Sequence, residues 1–175
     1  CDKNLAIKGG TLTVTSTGTG AKGISVDGTA TISGGTTTIS ATGTKYTYNT
    51  ANTSEAKGFK SDGAFVMNNG ELNIAATDDG LKSETSITIN DGTLVITKAT
   101  EGIESKTITF AGGVTNVTSS NDGINASMGT TTGGTESNDG SNIFIKGGIV
   151  IVVGSDGIDS NGNITITGGT TIIGG

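Results

Sequence analysis

Residues 78–96 read DDGLKSETSITINDGTLVI, and the same pattern recurs along the chain. Gly80 is followed by an apolar residue, and apolar residues then alternate with polar ones at residues 87–89 and 94–96, on either side of Asp91-Gly92. Alternation at period two is typical of short strands with one face turned inward. An Asp-Gly pair tolerates the positive φ of a tight turn. The stretch therefore predicts three short strands separated by corners.

This unit repeats, and each copy is marked by a glycine followed by an apolar residue. The copies are Gly23-Ile24, Gly58-Phe59, Gly80-Leu81, Gly102-Ile103, Gly123-Ile124 and Gly157-Ile158, with spacings of 35, 22, 22, 21 and 34 residues. A regular period of this size is typical of solenoids. The order of strands is the same in every unit, which favours parallel pairing between units over the hairpins of a sandwich.

We therefore expect an all-β fold, a single-domain parallel β-helix over residues 1–175, with about 22 residues per coil and roughly seven coils, the first of them partial. Right-handed coiling is expected because parallel β crossovers almost always take that hand. The two long spacings predict loop insertions at about residues 42–57 and 127–141. The second insertion is rich in Gly, Thr and Ser, which predicts a mobile loop without a catalytic constellation.

Composition restricts the chemistry. The chain has no histidine, and all ten basic residues are lysines, so imidazole catalysis, His-ligated zinc and guanidinium clamps are excluded. A net charge of −6 and a pI near 4.4 disfavour nucleic acid as a partner. No apolar run approaches the ~20 residues of a transmembrane helix. The low aromatic content of 3% is compatible with disorder, but the periodic Ile, Leu and Val argue against it.

Two rows of polar residues flank the repeat glycines. Immediately before them lie Lys22, Lys57, Asp79, Glu101, Asp122 and Asp156; two residues after them lie Ser25, Lys60, Lys82, Glu104, Asn125 and Asp159. Equivalent positions of neighbouring coils should lie ~4.8 Å apart. Carboxylates would then stack on carboxylates and repel one another.

A bound calcium ion would compensate this repulsion, because Ca²⁺ is coordinated by six to eight oxygens from carboxylates, amides and carbonyls. The first predicted ligand set is Asp78, Asp79, Glu101 and Glu104 with Asn121 and Asp122; the second is Asp156 and Asp159 beside Asn121 and Asp122. The alternative is a solvated acidic edge, partly neutralised by Lys57, Lys60 and Lys82 in surface ion pairs of small energy.

The segments 78–83, 121–124 and 155–160 resemble the coils of clostridial carbohydrate-binding β-helix proteins, which are related to pectate lyases. The resemblance spans about residues 5–173. It implies calcium at Asp-Asp-Gly corners, a secreted or surface-held protein, and binding of plant cell-wall polysaccharide, particularly acidic pectin. In the similar lyases, aspartates of a D-D-G-x-D corner hold catalytic calcium and a nearby lysine is the base. In residues 78–82 of this chain, Lys82 stands in place of the final Asp of that pattern. In residues 155–159 the final Asp is retained as Asp159, but Ser155 stands in place of the first Asp.

We expect a calcium-containing protein, outside the cell or on its surface, that binds polysaccharide without cleaving it; pectin is the favoured ligand and cellulose a further one. Tyr46 and Tyr48, in the first insertion, are candidate sugar contacts because sugar rings stack on aromatic faces; alternatively they pack over the adjacent coil. Lys60 and Lys82 are candidate contacts for acidic sugars. As the first residue, Cys1 is compatible with the acylated cysteine of a bacterial lipoprotein or with a fragment boundary.

Two other functions remain open. The chain could be a calcium-dependent polysaccharide lyase that uses Lys60, Lys82 or Lys106 as its base. It could also be a structural protein that self-assembles, since open ends of β-coils present unpaired backbone. We expect a monomer, with association through the ends or through the apolar residues Ile149, Ile151 and Val153 as a further property.

Overall fold

The computed structural model describes residues 1–129 and 137–175, and in these residues it contains 22 strands and no helix. The strands form seven coils stacked in register. In chain order they are β1 (Leu5–Ile7), β2 (Thr11–Ser16), β3 (Ile24–Val26), β4 (Ala30–Ile32), β5 (Thr36–Ala41), β6 (Tyr46–Asn49), β7 (Asn52–Ser54), β8 (Phe59–Ser61), β9 (Phe65–Met67), β10 (Glu71–Ala76) and β11 (Leu81–Ser83). They continue as β12 (Ser86–Ile89), β13 (Thr93–Lys98), β14 (Ile103–Ser105), β15 (Thr107–Phe110), β16 (Val114–Thr118), β17 (Asp122–Ala126), β18 (Asn142–Ile145), β19 (Ile149–Val153), β20 (Asp156–Ser160), β21 (Asn163–Ile166) and β22 (Thr170–Gly174).

Three parallel sheets run the length of the stack. Sheet 1 contains the strand after each repeat glycine, in the order β3-β8-β11-β14-β17-β20. Sheet 2 contains β1-β4-β9-β12-β15-β18-β21, and sheet 3 contains β2-β5-β10-β13-β16-β19-β22. Coil 1 has only β1 and β2, and each later coil has one strand in each sheet. The predicted parallel β-helix is confirmed. Within the described residues, no helix is long and apolar enough to cross a membrane.

The core is a column of apolar side chains in the positions predicted from the alternation. In coil 4, for example, Leu81, Ile87, Ile89, Leu94 and Ile96 are all buried. Each of these stacks on its equivalent in the next coil, as when Ile87 pairs with Ile108 in sheet 2. Because each side chain occupies the same place in successive coils, burial is continuous along the stack.

The repeat glycines are required by packing. A Cβ on Gly123 would lie 2.0 Å from Cγ1 of Val152, in sheet 3 of the same coil, and 2.6 Å from the carbonyl oxygen of Gly157. A γ-methyl of a β-branched sheet 3 residue meets the glycine in every such coil: Ile39 at Gly23, Ile74 at Gly58, Ile96 at Gly80, Val117 at Gly102 and Ile173 at Gly157. The second residue of each of the seven predicted turns is also a glycine, but here the backbone conformation requires it, since all seven have φ between 73° and 98°.

The two predicted insertions leave the stack at different corners. Residues 42–57 follow sheet 3 of coil 2 and contain the antiparallel hairpin β6–β7. In the second insertion, residues 130–136, where we predict a mobile loop, lie outside the described residues. On either side of them, Asp139 accepts hydrogen bonds from the backbone N–H groups of Met128 and Ser141.

Apolar side chains lie on the outer face of sheet 3 in coils 5–7, where Val114, Ile149, Val153 and Ile172 are exposed. At the outward positions that are Thr11, Thr13, Thr36 and Thr38 in coils 1 and 2, Thr170 is the one threonine in coils 5–7. A contact surface at Ile149, Ile151 and Val153 remains a prediction.

Candidate functional site

The polar residues around the repeat glycines lie along one edge of the stack, where sheet 3 leads into sheet 1; we call this edge the glycine corner. Backbone hydrogen bonds link its coils, for instance from Gly58 N to Asp79 O at 2.8 Å and from Gly80 N to Glu101 O at 2.9 Å. Residues two positions after the glycine are also in register, in the order Ser25, Lys60, Lys82, Glu104, Asn125 and Asp159. Side chains 21 to 35 residues apart in sequence therefore become neighbours in space.

Lys57 is the centre of a buried ion-pair network. Its Nζ lies 2.7 Å from Oδ2 of Asp79 and 3.0 Å from Oε2 of Glu55, and it also contacts Asp78. Lys57 is only 8% exposed and Asp79 only 4%. The alternative of lysines that pair with carboxylates across coils thus describes Lys57, except that its pairs are buried and do not lie on the surface.

The charges of this network shift its pKa values. Burial lowers the pKa of Lys57, but Asp79, Asp78 and Glu55 outweigh it and raise the pKa above its ordinary value. Hydrogen bonds from Lys45 and Lys57 lower the pKa of Glu55 to about 2. Burial raises the pKa of Asp79 to about 8, against the opposing effect of Lys57. Asp79 is thus held by one cation in a place where its charged form is poorly solvated.

A second group of carboxylates lies next to this network. Oxygens of Asp79, Glu101 and Glu104 lie within 4.8 Å of one another. Burial, followed by repulsion from Glu104 and Asp122, raises the pKa of Glu101. Glu104 is paired with Lys82, whereas Glu101 forms no ion pair within the described parts of the chain. Three converging carboxylates with incomplete neutralisation are a suitable donor set for a divalent cation.

Asn125 contributes an amide to the same place. Its Nδ2 points to Oε2 of Glu101 at 3.5 Å, and its Oδ1 is buried without a hydrogen-bond partner among the residues that the structure describes. A buried carbonyl oxygen without a donor is costly. Amide oxygens are also common calcium ligands, and a flip of the Asn125 amide would turn Oδ1 towards Glu101 and a cation bound there.

The other predicted ligands lie outside this cluster. Asp78 is engaged by Lys57, and Asn121 turns its Nδ2 to Asp122 at 3.5 Å. Asp122 pairs in register with Asp156, while Asp159 aligns with Asn125. Burial, followed by Asp159 and Asp156, raises the pKa of Asp122. The second predicted group is thus adjacent in space, but Asp156 and Asp159 are exposed.

Most lysines of the glycine corner form ion pairs with carboxylates. Lys60 pairs with Asp62 and lies 3.8 Å from Glu84, and Lys82 pairs with Glu104. Lys106 forms no ion pair with the described residues and lines a small groove of about 70 Å³ beside Lys82. An ion-paired ammonium holds its proton and does not act as a general base.

Tyr46 and Tyr48 lie on strand β6 of the hairpin, 47% and 75% exposed. Their spacing of two places both rings on one face of the strand. Contacts with coil 1 hold the hairpin at the glycine corner: Gly20 N donates to Thr44 O at 2.7 Å, and Lys22 donates to Oγ of Ser54 at 2.8 Å. Tyr48 is therefore largely free of the adjacent coil, whereas Tyr46 packs its Cβ against Gly20 and leaves about half of its surface exposed.

Two contributors were not among the predicted site residues. Asn125 has the same spacing from its repeat glycine as Glu104, so the period places it in the row. Glu55 lies in the insertion, and nothing in the sequence pattern indicates its contact with Lys57.

A model of the family described as carbohydrate-binding domain-containing protein matches residues 2–102, which cover coils 1–4 and more than half of the chain. No curated protein matches the chain. No solved structure matches it either.

Proposed function

We propose that this chain, which belongs to the family of carbohydrate-binding domain-containing proteins, binds an acidic plant cell-wall polysaccharide such as polygalacturonate without cleaving it. The polysaccharide would lie along the glycine corner and contact bound calcium, the hairpin tyrosines and the lysines of coils 3 and 4. Cellulose is a weaker candidate, since its neutral chains would use only the tyrosines. Such polysaccharides are extracellular, so the protein would act outside the cell or on its surface.

The convergence of Asp79, Glu101 and Glu104 carries this proposal. Glu101, Asp122, Asp156 and Asp159 have no lysine partner among the described residues, so the corner is increasingly acidic towards coil 7. An acidic surface repels a polyuronate unless a cation lies between them. Asp79, Glu101, Glu104 and Asn125 would hold the calcium ion, which would supply the positive charge for the sugar carboxylates.

The arrangement of lysines disfavours the lyase alternative. Proton abstraction next to a uronate carboxylate needs an unprotonated base beside the metal. Lys60 and Lys82 are both paired with carboxylates, and Lys106 is separated from Glu101 by strand β14 of the same coil. We therefore propose binding without turnover.

Calcium should control binding of polygalacturonate. Calorimetric titration of the protein with polygalacturonate in the presence of calcium should show saturable binding, and EDTA should abolish this binding. Glu101→Gln should weaken binding about tenfold because it removes a cation ligand without changing the side-chain shape, whereas Glu71→Gln, on the outer face of sheet 3, should have no effect. No unsaturated uronate should appear when the protein is incubated with polygalacturonate, either in calcium or in EDTA. If binding survives EDTA, and Glu101→Gln and Glu71→Gln bind polygalacturonate with equal affinity, the corner is a solvated acidic edge without a functional cation.

The stability of the chelated protein should fall as the pH rises from about 5 to 8. The pKa values of Asp79, Glu101 and Asp122 are raised in the folded state, to about 8 for Asp79, so the folded state binds more protons than the unfolded state across this range. Calcium should reverse the loss, adding about 2.7 kcal/mol at a hundredfold excess over its Kd. Thermal melts at several pH values, with EDTA or with calcium, measure both effects. Equal stability at pH 5 and pH 8 in EDTA would contradict the raised pKa values.

A further inference from the structure

A groove of about 240 Å³ lies on the sheet 3 side of the glycine corner and crosses coils 3–5. Thr77, residues 97–100 and residues 118–120 line it. Thr100 and Ser120 immediately precede Glu101 and Asn121, so the groove borders the acidic corner. Its size suits one sugar residue, since sites for drug-sized ligands measure about 300–1,000 Å³.

A strand irregularity lies in the groove wall. Ile74 pairs with Ile96, but the next pair is Ala75 with Lys98, so Thr97 is an extra residue in β13. The pairing of β13 with β16 also ends at Ile96. Bulges of this kind redirect side chains and are frequent beside binding sites. Here the bulge leaves Thr97 without a ladder partner and shifts the pairing with Ala75 to Lys98, and both residues line the groove.

The hydroxyl groups of the groove are oriented as acceptors. Thr100 donates its Oγ1 hydrogen to Thr77 O at 2.9 Å, Thr97 donates to Ile74 O at 3.3 Å, and Ser120 donates to Ala99 O at 3.4 Å. Since their hydrogens are used, these oxygens can only accept further hydrogen bonds, which suits a ligand rich in O–H donors. Threonine methyls and Ala99 supply apolar contact for the C–H faces of a sugar.

Lys98 is the cation of the groove. It is exposed and forms no ion pair within the described ranges, unlike Lys57, Lys60 and Lys82. We propose that the groove is a subsite for a single uronate residue, whose carboxylate binds Lys98 and whose hydroxyls donate to Thr97, Thr100 and Ser120 and form a hydrogen bond with Thr118. This inference rests on the proposed binding of an acidic polysaccharide and adds a contact that needs no metal.

The test uses Lys98→Met and Thr118→Val, with Lys8→Met as control. Lys8 is equally exposed and unpaired but lies near the turn between β1 and β2, so it matches the charge change. Thr118 lines the groove and its hydroxyl has no protein partner among the described residues, so its loss breaks no internal bond. Titration with trigalacturonate in calcium should show about tenfold weaker binding for Lys98→Met, about threefold for Thr118→Val and no change for Lys8→Met.

Amide NMR spectra during the same titration should show shifts at residues 97–100 and 118–120. If Lys98→Met and Lys8→Met bind trigalacturonate with equal affinity, and EDTA still abolishes binding of polygalacturonate, the groove is not a uronate subsite and the calcium proposal stands. Equal affinity for cellotriose, with the same amides shifted, would show a subsite for neutral sugar and overturn the role of Lys98. If the wild-type protein binds neither trigalacturonate nor polygalacturonate, both proposals fail.

Discussion

Replacing Lys57 by methionine should destabilise the protein by about 3–5 kcal/mol above about pH 8, where Asp79 is ionised in the wild type, because the substitution leaves a buried carboxylate without its counter-charge. Asp79 is 4% exposed and depends on Lys57 for its charge partner, and Asp78 and Glu55 lose the same contact. Urea denaturation in EDTA measures the loss. Added calcium should restore more stability to this variant than to the wild type, since the corner then has less positive charge of its own.

Lys45→Met is the matched control. Lys45 also pairs with Glu55, at 3.0 Å, but its side chain is 53% exposed, so its loss should cost less than about 1 kcal/mol. A second variant, Lys57→Met with Asp79→Asn, should recover part of the loss because the buried group is then neutral. Equal effects of Lys57→Met and Lys45→Met would mean that the Lys57 network behaves as a surface ion pair.

The fold was predictable because it depends on a period. Parallel stacking follows from the recurrence of one strand order, and the row of Asp79, Glu101 and Asp122 follows from the same spacing, since each occupies one position of its coil. A ladder converts equal spacing in sequence into contact in space. The hairpin that contains the tyrosines was predictable only in part. The long spacing between Gly23 and Gly58 located an insertion, but nothing in the spacing indicated the antiparallel pairing of β6 with β7.

Side-chain pairing within the ladders was not predictable in the same way. Lys57 has three carboxylates in reach, and its burial depends on Glu55, which the insertion brings back to the corner. The groove at Lys98 depends on the extra residue Thr97, yet coil 4 has the same 22-residue spacing as coil 3. A bulge in a strand and a longer corner give equal repeat lengths, so the period alone does not separate them.

Lys57 divides the glycine corner into two parts. In coils 3 and 4 a lysine of this chain neutralises Asp78 and Asp79. From coil 5 onward the carboxylates of Glu101, Asp122 and Asp156 have no such partner among the described residues, so an external cation has most to contribute there. The sugar carboxylates would therefore bind Lys98 directly in the groove and reach coil 5 only through calcium.

Gly123→Ala should destabilise the protein by about 3 kcal/mol, although it adds a single methyl group. The new Cβ would lie 2.0 Å from Cγ1 of Val152 and 2.6 Å from Gly157 O, and the second contact is with backbone that is hydrogen-bonded into the next coil. Gly157 O cannot withdraw without separating coils 6 and 7, and Cγ1 of Val152 can withdraw only by moving a fully buried side chain of the same coil. Val152→Ala in the same chain should relieve only the first contact and restore part of the stability.

Gly9→Ala is the control for backbone entropy. No atom lies within 4 Å of a Cβ at Gly9, and its φ is not positive, so alanine should be neutral or stabilising by up to about 1 kcal/mol. Chemical denaturation of the two variants separates packing from chain entropy, because both replace glycine by alanine. If Gly123→Ala proved as stable as Gly9→Ala, coils 6 and 7 would have to be packed less closely than the contact with Gly157 O indicates, and the requirement for glycine at each corner would lose its physical basis.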